Sequence, residues 1–274
     1  MSWPAPLPDR PRLLGIVNAT PDSFSDGGRY VGRAGVRHGL GLMGEGADAL
    51  DVGGESTRPG AAPVSVQEEM DRVLPVIEGL RTETDAPISI DTRRAETARA
   101  AVAAGADCWN DVSALRGEGS LAAAGALGVP VVLMHMRGEP GTMQADPTYA
   151  DVVGEVAAFL TARREAARAA GVTQVILDPG IGFGKTLAHN LALLRSLERF
   201  AALEVPLMLG ASRKRLIAAL DRDGPADERL GGSVALALRG AGAGCAWLRV
   251  HDVAATRQAL AVSRAVRPSQ DVTF

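Results

Sequence analysis

A chain of 274 residues with 46% apolar and 22% charged side chains is close to ordinary globular usage and long enough to bury one sizeable core. Its net charge of −3 and the lack of any Lys/Arg-rich run exclude a polyanion-binding surface, so no nucleic acid partner is expected. Cys108 and Cys245 lie far apart in apolar surroundings, which fits reduced core thiols and a cytoplasmic setting.

In chain order, the proline-rich stretch Met1 to Arg12 comes first and reads as an N-terminal extension over residues 1–11, with no apolar signal-peptide core. No window reaches about 18 uninterrupted apolar residues, so no membrane span is expected. Leu13–Val17 then opens a series of short apolar runs, followed by Ala49–Val52, Ile88–Ile90, Cys108–Trp109, Val131–Met134, Val175–Leu177, Pro206–Leu209 and Trp247–Val250. They lack the alternation of half-exposed strands, as expected of parallel strands buried on both faces. Between them Val66–Glu83, Arg94–Ala104, Ala150–Ala170, Asn190–Ala202 and Leu230–Gly242 read as helices rich in Ala, Leu, Glu and Arg. Gly46, Gly105, Gly128 and Gly171 stand just before strands, where glycine stops a helix.

Alternating strands and helices define an α/β chain, and the eight runs suit either a closed barrel or an open doubly wound sheet. The strand ends favour closure. Nearly every run finishes in a polar or glycine-rich cluster, and a barrel gathers all of these on one rim, whereas an open sheet spreads them along a crevice. The expectation is a single (β/α)8 TIM barrel over residues 1–274, with long loops after strands one and two.

Those two loops, Thr20–Gly28 and Gly53–Gly60, carry Asp22, Asp26, Thr57 and Arg58, more functional side chains than surface turns require. Small polar loops of this kind can close over a substrate. Asp91, Asn110 and Asp178 end strands three, four and six. Each alone reads equally as a helix N-cap; together they form a row of acceptors for a ligand rich in N–H groups. Lys214 follows Ser212-Arg213 where a helix should begin, a place that favours an anion or an acceptor oxygen. Arg249 and His251 alternate on strand eight, so their side chains share a face and can grip a phosphate. Either alone would also suit a solvated rim. His135 reads more readily as a satisfied core histidine than as a direct participant. Gly180–Lys185 lacks dinucleotide-loop spacing, and His38 and His189 have no metal-ligand spacing.

The residues resemble one family over nearly the whole chain, the dihydropteroate synthases. The resemblance rests on Gly15–Gly28, Asp51–Gly60, Ile90–Thr92, Asn110–Val112, Leu177–Lys185, Ser212–Lys214 and Arg249–Asp252. It implies condensation of a dihydropterin diphosphate with p-aminobenzoate to give 7,8-dihydropteroate and pyrophosphate, by a homodimer. By resemblance Asp91, Asn110, Asp178 and Lys214 bind the pterin. Asn18 is a Mg2+ ligand, and Thr57, Arg58, Arg249 and His251 hold the diphosphate. Asp26, Thr57, Pro59, Phe183 and Ser212 serve the lid and the p-aminobenzoate pocket, and Asp26, Asp91, Asp178 and Lys214 support the chemistry. The seventh βα segment, Asp221–Glu228, departs from the pattern as a generic charged loop. No insertion separates Asp178 from Lys185, so sulfonamide sensitivity is expected. Two other readings compete: the pterin-binding domain of a corrinoid methyltransferase, and a non-catalytic pterin-binding scaffold. Neither needs the diphosphate grip of Ser212–Lys214 with Arg249 and His251.

Overall fold

The computed structural model describes residues 3–20, 29–56 and 63–266. The strands are β1 (Arg12–Asn18), β2 (Ala49–Gly53), β3 (Ile88–Asp91), β4 (Cys108–Asp111), β5 (Val131–Met134), β6 (Val175–Asp178), β7 (Met208–Leu209) and β8 (Trp247–Val250). The helices are α1 (Arg29–Glu45), α2 (Val66–Glu83), α3 (Ala95–Ala103), α4 (Ser120–Leu127), α5 (Val152–Ala169), α6 (Leu187–Arg195), α7 (Leu197–Ala201), α8 (Arg215–Leu220), α9 (Leu230–Gly242) and α10 (Val253–Ala265). All strand pairs are parallel in the order β6-β5-β4-β3-β2-β1-β8-β7. A Leu177–Leu207 bridge and the 2.9 Å bond from Leu177 N–H to Pro206 O bring β6 against the β7 edge and nearly close the ring. This is the expected (β/α)8 barrel.

Two apolar layers hold it. Outward-facing strand residues such as Leu13, Leu50, Val52, Ile90, Leu133 and Leu177 pack against helix residues including Val73, Ile77, Leu80, Val156 and Phe200. Each fully buried side chain of this size contributes about 1.5–3 kcal/mol. Inside the barrel Leu14, Ala49, Cys108, Val132, Ile176, Met208 and Trp247 form a separate plug. The N-terminal extension, which carries no legible motif, reaches that plug: the Trp3 ring stacks on Trp247 with centroids 4.8 Å apart. Both cysteines are buried and unpaired. Among the described residues no helix is long and apolar enough to cross a membrane.

Local differences from the sequence expectation have local causes. The predicted helix 190–202 is two helices that break at Ser196. The first begins earlier, at Leu187, because Thr186 and His189 form a reciprocal capping box. Strand four runs on through Asn110 and Asp111, which pair with Val132 and Leu133. Strand seven shrinks to Met208–Leu209, since Pro206 has no N–H to give a ladder. The glycine stops hold: Gly46, Gly105 and Gly171 have φ of +102°, +114° and +96°.

Candidate active site

The mouth is built by strand register. Asn18 pairs with Gly53, Gly53 with Asp91, and Asp91 with Asn110, so one rung crosses four strands at their C-terminal ends. Asp178 pairs with Met134 on the far side. Paired residues of a parallel sheet project to the same face, so these side chains enter the same space above the apolar plug. Gly210 joins the two sides: a Cβ there would stand 3.4 Å from Asp178 Oδ2 and 3.9 Å from Arg249 Cβ.

Arg249 organises the acids. Its Nε donates to Asp51 Oδ2 at 2.6 Å and its Nη2 to Asp91 Oδ2 at 2.7 Å, while Asn110 Nδ2 donates to the same Asp51 oxygen at 3.0 Å. The sequence puts Arg249 with His251 as a phosphate grip; here its guanidinium lies on the carboxylates. Burial holds Asp91 above the ordinary carboxylate range, with Arg249 opposing and the negative charges of Asp51 and Glu69 adding to it. The two acids in turn raise the Arg249 pKa against the cost of its own burial. Burial also raises Asp178, whose Oδ1 accepts the Gly180 N–H at 2.7 Å and which feels Lys214, Arg249 and Lys185.

Ser212 holds His251, two residues beyond Arg249. Its Oγ accepts the His251 backbone N–H at 3.3 Å and lies 3.0 Å from Nδ1. Both contacts are satisfied when the hydroxyl donates to Nδ1, which leaves Nε2 as the N–H donor. Burial, with Arg249 and Arg213 nearby, pushes His251 down to about 3, so the ring is neutral at pH 7. Lys214 caps the start of α8, and its Nζ lies 4.0 Å from the centroid of the Phe183 ring. Phe183 is carried by a turn that packs against the end of β5. A Cβ at Gly180 or Gly184 would run into the carbonyls of His135 and Arg137, so both positions need glycine.

The structure thus gathers Asn18, Asp91, Asn110, Asp178, Lys214, Arg249 and His251 at one rim, with Ser212 and Phe183 beside them. Asp26, Thr57, Arg58 and Pro59 lie outside the described residues. The segment 57–62 is flanked by a clamp: Arg94 Nη2 donates to Glu55 Oε1 at 3.0 Å and to Val64 O at 2.7 Å. Asp51 is the acid that the motifs leave without a role. Its signal is an aspartate inside the buried run Ala49–Val52, fully enclosed and with Oδ1 lacking a hydrogen-bond partner. Lys185 is likewise inconspicuous within a glycine-rich turn.

Among the described residues no group of three His, Cys, Asp or Glu side chains could by itself hold a metal ion. The half-buried Asn18 at the end of β1 offers a single hard oxygen. That donor set fits a Mg2+ ion that arrives with phosphate oxygens and keeps several waters.

Comparison with known proteins agrees with this geometry. The family model described as "Pterin binding enzyme" matches residues 14–251. The dihydropteroate synthase of Escherichia coli K12 is 44% identical over 264 residues, covering 95% of this chain and 93% of that protein. A Xanthomonas albilineans dihydropteroate synthase solved with 4-aminobenzoic acid superposes with a TM-score of 0.90 at 54% identity, covering 95% of this chain and 94% of that one. The same organism's enzyme in complex with 7,8-dihydropteroate gives a TM-score of 0.87 at 51% identity, with 95% of each chain covered. These matches favour a synthase over the pterin-binding domain of a corrinoid methyltransferase, and the chain belongs to the dihydropteroate synthase family.

Proposed function

We propose that the chain is a transferase that condenses (7,8-dihydropterin-6-yl)methyl diphosphate with p-aminobenzoate, releasing pyrophosphate and giving 7,8-dihydropteroate. The observation that carries this reading is the convergence of an acceptor row, Asp91, Asn110 and Asp178, with cationic and N–H groups from Lys214, Arg249 and His251. A pterin presents N–H donors along one edge, and the row accepts them. Ionised Asp91 is the stronger acceptor, and N–H groups bound to it favour that form against the burial that raises its pKa.

The substitution occurs at the pterin methylene. The C–O bond breaks largely before the amine attacks, and its electron pair leaves with the diphosphate. Asp91 and Asp178 stabilise the cation that the pterin nitrogens delocalise. His251 Nε2–H and Arg58 stabilise the departing oxygens, with Thr57, and Arg249 adds positive charge beside them from its seat on Asp51 and Asp91. The p-aminobenzoate nitrogen then forms the new C–N bond and loses its proton to the released pyrophosphate. Phe183, Ser212, Pro59 and Thr57 orient that ring, and Asp26 supports the lid. No nucleophilic side chain is required; positioning of the two substrates can supply up to about 7–11 kcal/mol of barrier reduction. Asn18, together with the diphosphate, would hold a Mg2+ ion, whose charge would offset that of the leaving group when bound.

Two buried free thiols support a reducing cytoplasmic setting, and a homodimer is the assembly we expect of this family. The test is direct. Purified protein, the pterin diphosphate, labelled p-aminobenzoate and Mg2+ should yield labelled dihydropteroate; no labelled product would end the reading. A corrinoid methyltransferase domain or a scaffold would bind the pterin and give none.

A further inference from the structure

Of the 29 Lys and Arg residues only Lys185 and Lys214 are lysines. Lys214 belongs to the mouth. Lys185 is 3% exposed and lies behind the same wall, where its Nζ meets four acceptors. These are His135 Nδ1 at 2.9 Å, Gly180 O at 2.9 Å, Phe183 O at 3.0 Å and His135 O at 3.3 Å. A compact ammonium can point its three N–H bonds at converging oxygens, which a planar guanidinium cannot. Burying a cation is strongly unfavourable unless its donors are satisfied, so this arrangement is specific.

The acceptors belong to two elements. His135 directly follows β5, and Gly180 and Phe183 are the two ends of the turn after β6. Other bonds complete the turn: Phe183 N–H donates to Gly180 O at 3.2 Å, Gly182 N–H to Asn190 Oδ1 at 2.7 Å, and Tyr149 O–H to Gly184 O at 2.8 Å. Lys185 alone grips both ends of it from within. The product of this bracing is the place of one side chain, the Phe183 ring beneath Lys214 Nζ.

We infer that Lys185 is a positioning residue for p-aminobenzoate: its buried ammonium ties the Gly180–Phe183 turn to β5 and thereby keeps the Phe183 ring under Lys214. This rests on the reading that Phe183 lines the p-aminobenzoate pocket. Burial lowers Lys185 to about 7, with Asp178 favouring the cation and Lys214 opposing it, so the tie is carried chiefly by the N–H bonds that Nζ keeps toward Gly180 O and Phe183 O in either form. Burial, with the Lys185 charge second, pushes His135 down to about 3, so it faces Nζ as a neutral acceptor.

K185M and K185Q test the inference beside F183L. In K185M the KM for p-aminobenzoate should rise about tenfold, while kcat and the KM for the pterin diphosphate stay within about threefold. A role confined to stability would lower the active fraction, and so kcat, without moving that KM. Lysine-selective isotopic labelling gives a second readout, because K185M leaves Lys214 as the only labelled side chain. Its ε-methylene signal, shifted upfield by the Phe183 ring in the wild type, should move toward the ordinary lysine position in both K185M and F183L. K185Q, which keeps N–H donors without the charge, should fall between K185M and wild type. If F183L leaves the p-aminobenzoate KM unchanged, the pocket reading fails and the inference with it. If F183L raises that KM and folded K185M or K185Q does not, the inference alone is overturned. Failure of both Lys185 variants to fold would also overturn it, by assigning the residue to the stability of the barrel.

Discussion

Arg249 Nε and Asp51 Oδ2 meet at 2.6 Å across the barrel interior, with Asp51 fully enclosed, so the last strand is pinned to the second by a buried ion pair. The same carboxylate oxygen takes Asn110, and the same guanidinium takes Asp91. Removing Asp51 leaves Arg249 on Asp91 alone and takes away the acceptor of Asn110 Nδ2. D51A should therefore lose about 1–3 kcal/mol in denaturant unfolding. The double variant D51A/R249M should lose less than the sum of the singles, because each residue's cost is largely the other's burial. Additive losses would show that the contact carries no coupling.

The Ser212–His251 contact predicts a division between the two halves of the pterin substrate. S212A removes the hydroxyl that fixes the imidazole and should weaken binding of the diphosphate substrate about threefold to tenfold, the equivalent of one hydrogen bond. A pterin lacking the diphosphate should bind S212A as it binds wild type. Calorimetric titration with both ligands decides the matter, and equal losses would separate His251 from the leaving group.

His251 also sets a pH dependence of stability. Its pKa is pushed down to about 3 in the folded chain, against about 6.5 when unfolded, so between these values the unfolded chain binds the extra proton. Stability therefore falls as pH drops from about 6.5 toward 3, by up to about 2 kcal/mol at pH 5 from this residue alone. H251N cannot titrate. Its stability relative to wild type should improve as pH is lowered from 7 to 5, measured by urea unfolding at each pH. A difference that does not vary with pH would place the imidazole in a solvated setting.

At the opposite end of the barrel Trp3 closes the inner plug by stacking on Trp247. W3A should cost about 3 kcal/mol in unfolding, as for other large-to-small core changes. Because the site lies at the C-terminal ends of the strands, kcat and both KM values should be unchanged below the unfolding transition. A loss of activity in folded W3A would mean that the plug transmits strain to the mouth.

Between Asp178 and Lys185 the turn that carries Phe183 is short and fully braced, with no inserted residues to reshape it. Sulfonamides should compete with p-aminobenzoate, raising its apparent KM and leaving kcat unchanged. Growth of a synthase-deficient strain rescued by this chain should cease under sulfamethoxazole, and rescue that persists unchanged would refute the expectation.

Much of this is legible in the chain alone. Eight buried runs and glycine helix stops determine a parallel α/β chain, since period and punctuation are local properties, and the polar strand ends favour its closure into a barrel. Asp91, Asn110 and Asp178 are legible as a set: each alone reads equally as a helix N-cap, but three such residues ending apolar strands form a row of acceptors on one rim. What tertiary structure decided was partnership. Arg249 reads from its strand as a phosphate ligand beside His251, yet its guanidinium lies on Asp51 and Asp91, residues 198 and 158 positions away in sequence. Asp51 and Lys185 are silent in the sequence because a buried charge is defined by what surrounds it, and only closure of the ring sets the acceptors around Lys185 and the cation against Asp51. Trp3 obeys the same logic, since nothing in a proline-rich extension announces the open floor of a barrel that its ring fills. Local sequence dictates which elements form; the electrostatic partners of buried groups depend on long-range packing, which brings them together only when the whole sheet has curled.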